Sequence, residues 1–192
     1  MLEIKYLKKS FGDKIIFDDF SYTFNNGIYI VNGESGIGKT TLLRMIASLD
    51  TDYTGEIIGG GINNVSFSFQ EYRLFEHLTA LENVSVIFPE SSTYAIATAK
   101  NTLDMLGISE DDQSLLPSQM SGGMKLRVSI ARALCKRAPV LLLDEPSREL
   151  NIEYVQSLVK ILEARATDQI IIVVSHDSSI YKLCENATVI DI

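Results

Sequence analysis

The stretch Gly33-Glu34-Ser35-Gly36-Ile37-Gly38-Lys39-Thr40 has the residue types and spacing for phosphate chemistry. It matches G-x-x-x-x-G-K-[ST], a loop that cradles phosphates between a strand and a helix. Its glycines let consecutive backbone N–H groups turn inward around phosphate oxygens, where side chains would collide. The helix that starts at the lysine adds partial positive charge. Lys39 is placed to reach β- and γ-phosphates, and the Thr40 hydroxyl to reach Mg²⁺, with Thr41 continuing into the helix. The competing reading is a glycine-rich turn followed by an exposed lysine.

Two acids supply a second half. Leu141-Leu142-Leu143 reads as a buried strand that ends in Asp144-Glu145. Asp144 is a candidate magnesium ligand opposite Thr40, and Glu145 a candidate to polarise an attacking water. Alone, the pair reads equally well as solvated loop acids. His176 follows the apolar run from Ile170 and is a candidate donor to a γ-phosphate. Gln70, after Val65 to Phe69, offers an amide to the metal or the water. By themselves both are ordinary polar residues at strand ends. Ser121-Gly122-Gly123 opens a basic, apolar helical run. It reads as a helix cap and as a second set of inward-facing amides able to hold an anion.

The elements that must position these groups follow from periodicity. Residues 2–8 and 14–24 read as strands around a turn at Gly12-Asp13. Ile28 to Val31 is a short strand running into the glycine loop, and a helix is expected from Lys39 to Leu49. Tyr53 to Ile58 and Val65 to Phe69, joined through Gly59-Gly60-Gly61, read as a hairpin. Thr79-Ala80-Leu81-Glu82 fits a capping box. Ile96, Ala99, Leu103 and Leu106 fall on one helical face that Gly107 stops. Val155, Leu158, Val159 and Leu162 form another face, between the buried strands Val140–Leu143 and Ile170–Val174. Ala187 to Ile192 is a last strand. Buried strands alternating with helices predict a mostly parallel sheet covered on both faces.

Composition narrows the class. At 192 residues, 46% hydrophobic and 22% charged, the chain has enough material for one domain with a proper core. Its net charge of −8 argues against a nucleic-acid partner. No run reaches the roughly 18 apolar residues of a membrane span. The N-terminus MLEIKYLKKSFG is too charged for a signal peptide. Cys135 and Cys184 lack metal or redox spacing and read as reduced thiols.

Taken in order, these segments resemble the ATP-binding cassette (ABC) ATPase family, specifically the nucleotide-binding subunit of a transporter, over nearly the whole chain. "GESGIGKTT" is similar to the Walker A motif, "VLLLDE" to Walker B with the catalytic glutamate, "FQE" to the Q-loop and "VVSHD" to the H-loop. "MSGGM" resembles the signature LSGGQ, "SREL" with Asn151 stands at the D-loop position, and Phe11 at the position of the aromatic residue that stacks on adenine. "FQEYRLFEHLTALENV" together with "SGGM" looks most like importers of nitrate, sulfonate and taurine. Three departures stand out: Met120 and Met124 flank the signature glycines, Asn151 replaces the usual aspartate, and the segment from Lys39 to Gln70 is short.

The resemblance implies an α/β phosphate-loop NTPase core with a mostly parallel sheet. A trimmed antiparallel β subdomain and a small helical subdomain at about 71–120 complete one cassette spanning 1–192. It implies ATP and Mg²⁺ as ligands, and a second ATP-binding subunit, identical or related, packed head to tail. Ser121, Gly122 and Gly123 would then face the partner's ATP. An integral membrane permease would hold the chain at the inner face of the cell membrane, in the cytoplasm. Two other readings stay open: a non-transport ABC ATPase, and a regulatory module that binds ATP with weak turnover.

Overall fold

The computed structural model describes residues 1–89, 92–148, 150–176 and 178–192. Its strands are β1 (Leu2–Phe11), β2 (Lys14–Phe24), β3 (Gly27–Asn32), β4 (Thr54–Ile58), β5 (Val65–Ser68), β6 (Val140–Asp144), β7 (Ile170–Val174) and β8 (Thr188–Asp191). Its helices are α1 (Lys39–Ile46), α2 (Ala80–Ser85), α3 (Thr93–Met105), α4 (Gly122–Cys135), α5 (Ile152–Arg165) and α6 (Ser178–Leu183). The main sheet has the order β5-β6-β7-β3-β8 with every neighbouring pair parallel. The smaller sheet, β2-β1-β4, is antiparallel.

Alternation along the buried strands divides the core in two. Ile28, Ile30, Leu141, Leu143, Ile171 and Val173 face α3, α4 and α5. Tyr29, Val31, Val140, Leu142, Ile172 and Val174 face α1 and the antiparallel sheet. Both faces are covered, which is why these strands are continuously apolar rather than alternating with polar residues. Among the described residues no helix is long and apolar enough to cross a membrane.

Three local expectations need correction. The segments Tyr53–Ile58 and Val65–Phe69 do not form a hairpin. The strand β4 pairs with β1, whereas β5 lies parallel to β6 in the other sheet. The Gly59–Gly61 segment carries the chain past the end of α1, where the Gly61 N–H donates to the Ile46 carbonyl at 2.8 Å. The helix expected to reach Leu49 stops at Ile46. Ser48 adopts φ 57°, and the Leu49 and Ser48 amides bond back to Arg44 and Met45 at 2.8 and 2.9 Å. This is a Schellman closure made with serine in place of glycine, so no glycine signals it. On α3, Ile96 is 41% exposed and Ala95 takes its place on the buried face with Ala99, Leu103 and Leu106. The strands β2 and β7 keep their expected limits, and the limits of the others move by one to three residues.

Candidate functional site

Three adjacent parallel strands, β6, β7 and β3, end at the same edge of the sheet. The phosphate loop leaves β3, Asp144 and Glu145 end β6, and His176 follows β7. Together they line a cleft of about 710 Å³. Ser35, Gly36, Gly38, Lys39, Thr40 and Thr41 form one wall, and Phe11, Gln70, Asp144, Glu145 and His176 complete the predicted set within it.

The loop geometry follows from its sequence. Gly38 has φ 125° and begins α1, and a Cβ there would collide with Ile16 Cγ2. Only glycine allows the helix start to sit so close to β2. Lys39 is buried and arches back over the loop, its ammonium donating to the Gly33 and Glu34 carbonyls at 2.7 and 2.8 Å. The side chains of Glu34 and Ile37, and Gly33, are not among the residues lining the cleft. Across from Lys39, Thr40 Oγ1 donates to Asp144 Oδ1 at 3.2 Å. Asp144 is 2% exposed. Burial pushes its carboxyl above the usual range, and the nearby Glu145 adds to this, against the Thr40 bond and Lys39.

Glu145 holds an unusual backbone conformation. Its φ is 52°, rare for a residue with a side chain and a form of stored strain. Its N–H donates to the Val174 carbonyl at 2.8 Å, which fixes that turn. The carboxylate faces His176: Oε2 accepts from the His176 backbone N–H at 3.2 Å, and Oε1 lies 3.6 Å from Nε2. Phe11 is 53% exposed, and the ammonium of Lys9 lies 4.7 Å from its ring centroid. Lys9 is anchored by Asp50 Oδ1 at 3.0 Å. Phe11 is therefore held at the cleft and not buried in the core.

Sequence reasoning missed Lys14, Ile16, Ser147, Arg148 and Val174, which also line the cleft. Lys14 donates to the Gly36 carbonyl at 3.0 Å. Its place just after the Gly12-Asp13 turn, as the strand partner of Phe11, was the available signal.

Ser121, Gly122 and Gly123 are not among the residues lining this cleft. Ser121 caps α4, its Oγ accepting from the Met124 N–H at 3.2 Å. The first-turn amides of a helix have no intrahelical acceptors. Met120 is buried in the core and Met124 packs against it, so both departures are anchors. Arg127, 7% exposed, donates to the Gly123, Leu106 and Gly107 carbonyls at 3.2, 3.1 and 2.7 Å and stacks 3.9 Å from the Tyr154 ring. Asn151 caps α5, with Oδ1 accepting from the Tyr154 N–H at 3.2 Å. Asparagine caps a helix as well as aspartate does, so the cap survives that departure. Glu149 and Asp177, quoted in the D-loop and H-loop stretches, lie outside the described residues.

The family model for "ABC transporter" matches residues 17–148. The chain is similar to the "Putative hemin import ATP-binding protein HrtA" of Staphylococcus epidermidis, 31% identical over 96% of this chain and 93% of that protein. It is similar to the "Aliphatic sulfonates import ATP-binding protein SsuB" of Bacillus cereus, 37% identical over 92% and 74%. It also superposes on the dimeric structure of the bacterial ABC transporter cassette MJ0796, with a TM-score of 0.87, 26% identity and coverage of 100% and 94%. A further structure of that cassette, a post-hydrolysis state bound to ADP and Pi, superposes with a TM-score of 0.81, 28% identity and coverage of 95% and 91%. The chain belongs to the ABC transporter family and is one of its ATPase cassettes.

Proposed function

We propose that this chain hydrolyses ATP for an importer, pairing head to tail with a second cassette and driving a separate integral membrane permease from the cytoplasmic side. One observation carries the reading. The phosphate loop with Lys39, the Thr40–Asp144 pair and the Glu145–His176 pair meet in a single cleft. The relatives named as import proteins support the direction of transport, and the dimeric MJ0796 cassette supports the pairing.

The residues fit their ligands. A desolvated carboxylate 3.2 Å from a hydroxyl suits a divalent cation, so Thr40 and Asp144 would hold Mg²⁺, with the Gln70 amide within the same cleft. The ion's charge offsets that of the β- and γ-phosphates. The loop amides from Gly33 to Thr41 and the Lys39 ammonium bind the phosphate chain, and the Phe11 ring stacks on adenine. Glu145 accepts a hydrogen bond from the attacking water and orients it, while His176 donates to the γ-phosphate. Ser121, Gly122 and Gly123 sit away from this cleft, as residues serving the partner's nucleotide must.

The segment after Gln70 suits the permease side. Tyr72 and Leu74 pack into the core, but Phe75 is 47% exposed beside an apolar groove of about 500 Å³ lined also by Ile62, Phe67, Phe69 and Val86. Arg132 holds the segment, donating to the Tyr72 and Arg73 carbonyls at 3.3 and 2.8 Å.

Replacement of Glu145 by glutamine keeps shape and removes charge. The variant should bind Mg-ATP, form an ATP-dependent dimer in sedimentation, and lose at least about 100-fold in turnover. Hydrolysis at the parent rate would refute the assignment of Glu145, and an ATP-loaded variant that stays monomeric would refute the pairing.

A further inference from the structure

We propose that Arg148 is a phosphate-binding residue of the same cleft, and that its guanidinium selects ATP over ADP by contacting the terminal phosphate. This rests on the nucleotide reading above.

The fold fixes where Arg148 starts. Glu145, in its left-handed conformation, opens a turn that the Arg148 N–H closes on the Glu145 carbonyl at 3.3 Å. Pro146 and Ser147 are buried inside that turn. The Ser147 and Ser175 hydroxyls lie 3.2 Å apart, both buried, so the turn is tied to the strand end that carries His176. The turn therefore delivers an exposed arginine to the rim of the cleft, beside Glu145 and opposite the phosphate loop.

Charge explains what it does there. Lys39 and Lys14 stand on the loop side, their ammonium groups against the carbonyls of Gly33, Glu34 and Gly36. Asp144 and Glu145 stand on the β6 side. With Asp144 engaged by Mg²⁺, a γ-phosphate placed for attack by a water on Glu145 is still brought against the Glu145 carboxylate on that wall, and like charges there repel. Arg148 is a cation supplied from the same wall. Its planar fork pairs with two phosphate oxygens at once, which a lysine does not do. ADP ends one phosphate short of the wall, so its affinity does not depend on Arg148.

The test is calorimetric titration of Mg²⁺ with ADP and with the non-hydrolysable imido analogue of ATP, at concentrations where sedimentation shows monomer. Arg148→Ala should weaken the triphosphate about tenfold, equivalent to about 1.4 kcal/mol, and leave ADP within about twofold. Arg148→Lys should fall between. Unchanged ADP binding also certifies that the variant is folded. Equal losses for both ligands, or no loss for the triphosphate, overturn the proposal. A loss that appears only once dimers form overturns the assignment to the chain's own cleft. Lys39→Ala should weaken both ligands. If it weakens neither, the nucleotide reading fails and this proposal fails with it.

Discussion

Asp144 combines burial with a charge that the folded chain alone solvates poorly. Its carboxyl is raised above the ordinary value, mainly by burial, so it favours the protonated form in the fold. Such a group helps the folded state below its unfolded value, and that help is lost as pH rises through the folded value. At pH 7, above its unfolded value, keeping this carboxyl buried in the fold is therefore a net cost. Asp144→Asn should raise the thermal midpoint of the nucleotide- and metal-free chain by a few degrees, while hydrolysis falls to background. The gain should shrink as pH falls toward 4, and thermal melts across pH without Mg²⁺ measure it. A variant less stable than the parent at pH 7 would contradict the sign. The motif residues of this site were legible because phosphate chemistry fixes their spacing in the chain. Ile16, Ser147 and Val174 were not, since they reach the cleft through sheet pairing and a turn that no local pattern announces.

Helix ends show where local chemistry suffices and where it does not. The capping box of α2 forms as its sequence predicts: Thr79 N–H donates to Glu82 Oε2 at 2.8 Å, and Glu82 N–H to Thr79 Oγ1 at 3.2 Å. The Thr79 backbone bond, with its hydroxyl bond second, holds the Glu82 carboxyl below its ordinary value. Its contribution is therefore fully present above about pH 4.5 and is lost as pH falls through the lower folded value. Glu82→Gln should be less stable than the parent at pH 7, and the gap should narrow as pH falls below about 4.5, read from urea unfolding at each pH. The stop at Gly107 was also legible, with Ile108 and Gly107 amides bonding back to Leu103 and Asp104 at 3.0 and 2.9 Å. Its tertiary role was not. A Cβ at Gly107, which has φ 71°, would meet the Tyr154 ring at 2.5 Å and Arg127 Nη1 at 3.2 Å. Gly107→Ala should cost about 1–3 kcal/mol in urea unfolding from backbone strain alone, and more if the Arg127–Tyr154 stack is displaced. The end of α1 at Ser48 stayed hidden because serine does the work of glycine there.

At the scale of the molecule, the sequence revealed buried strands and intervening helices, but not their neighbours. The order β5-β6-β7-β3-β8 depends on pairings between distant residues, the two made by β3 joining residues over a hundred positions apart, such as Gly27 with Ile170. Function is also divided into halves: the α4 N-terminus contributes no residue to the lining of the phosphate cleft. If each half completes a partner's site, specific hydrolysis should rise with protein concentration while monomers predominate, and level off once dimers form. Phosphate release across a dilution series checks this, and a flat specific activity would contradict it. One rung of the main sheet has a separate consequence. Val174 is the paired residue of Val31 on one side and of Asp144 on the other, and its carbonyl holds the Glu145 amide. It works as a datum from which the reaction centre is dimensioned, so tolerance to length change must differ sharply along the chain. Deleting one residue within Ile170–Val174 inverts every following side chain of the strand and displaces His176, and should abolish folding. Inserting one residue at the exposed turn Thr167-Asp168, at the other end of the same strand, leaves every dimension measured from that datum unchanged and should preserve ATP turnover.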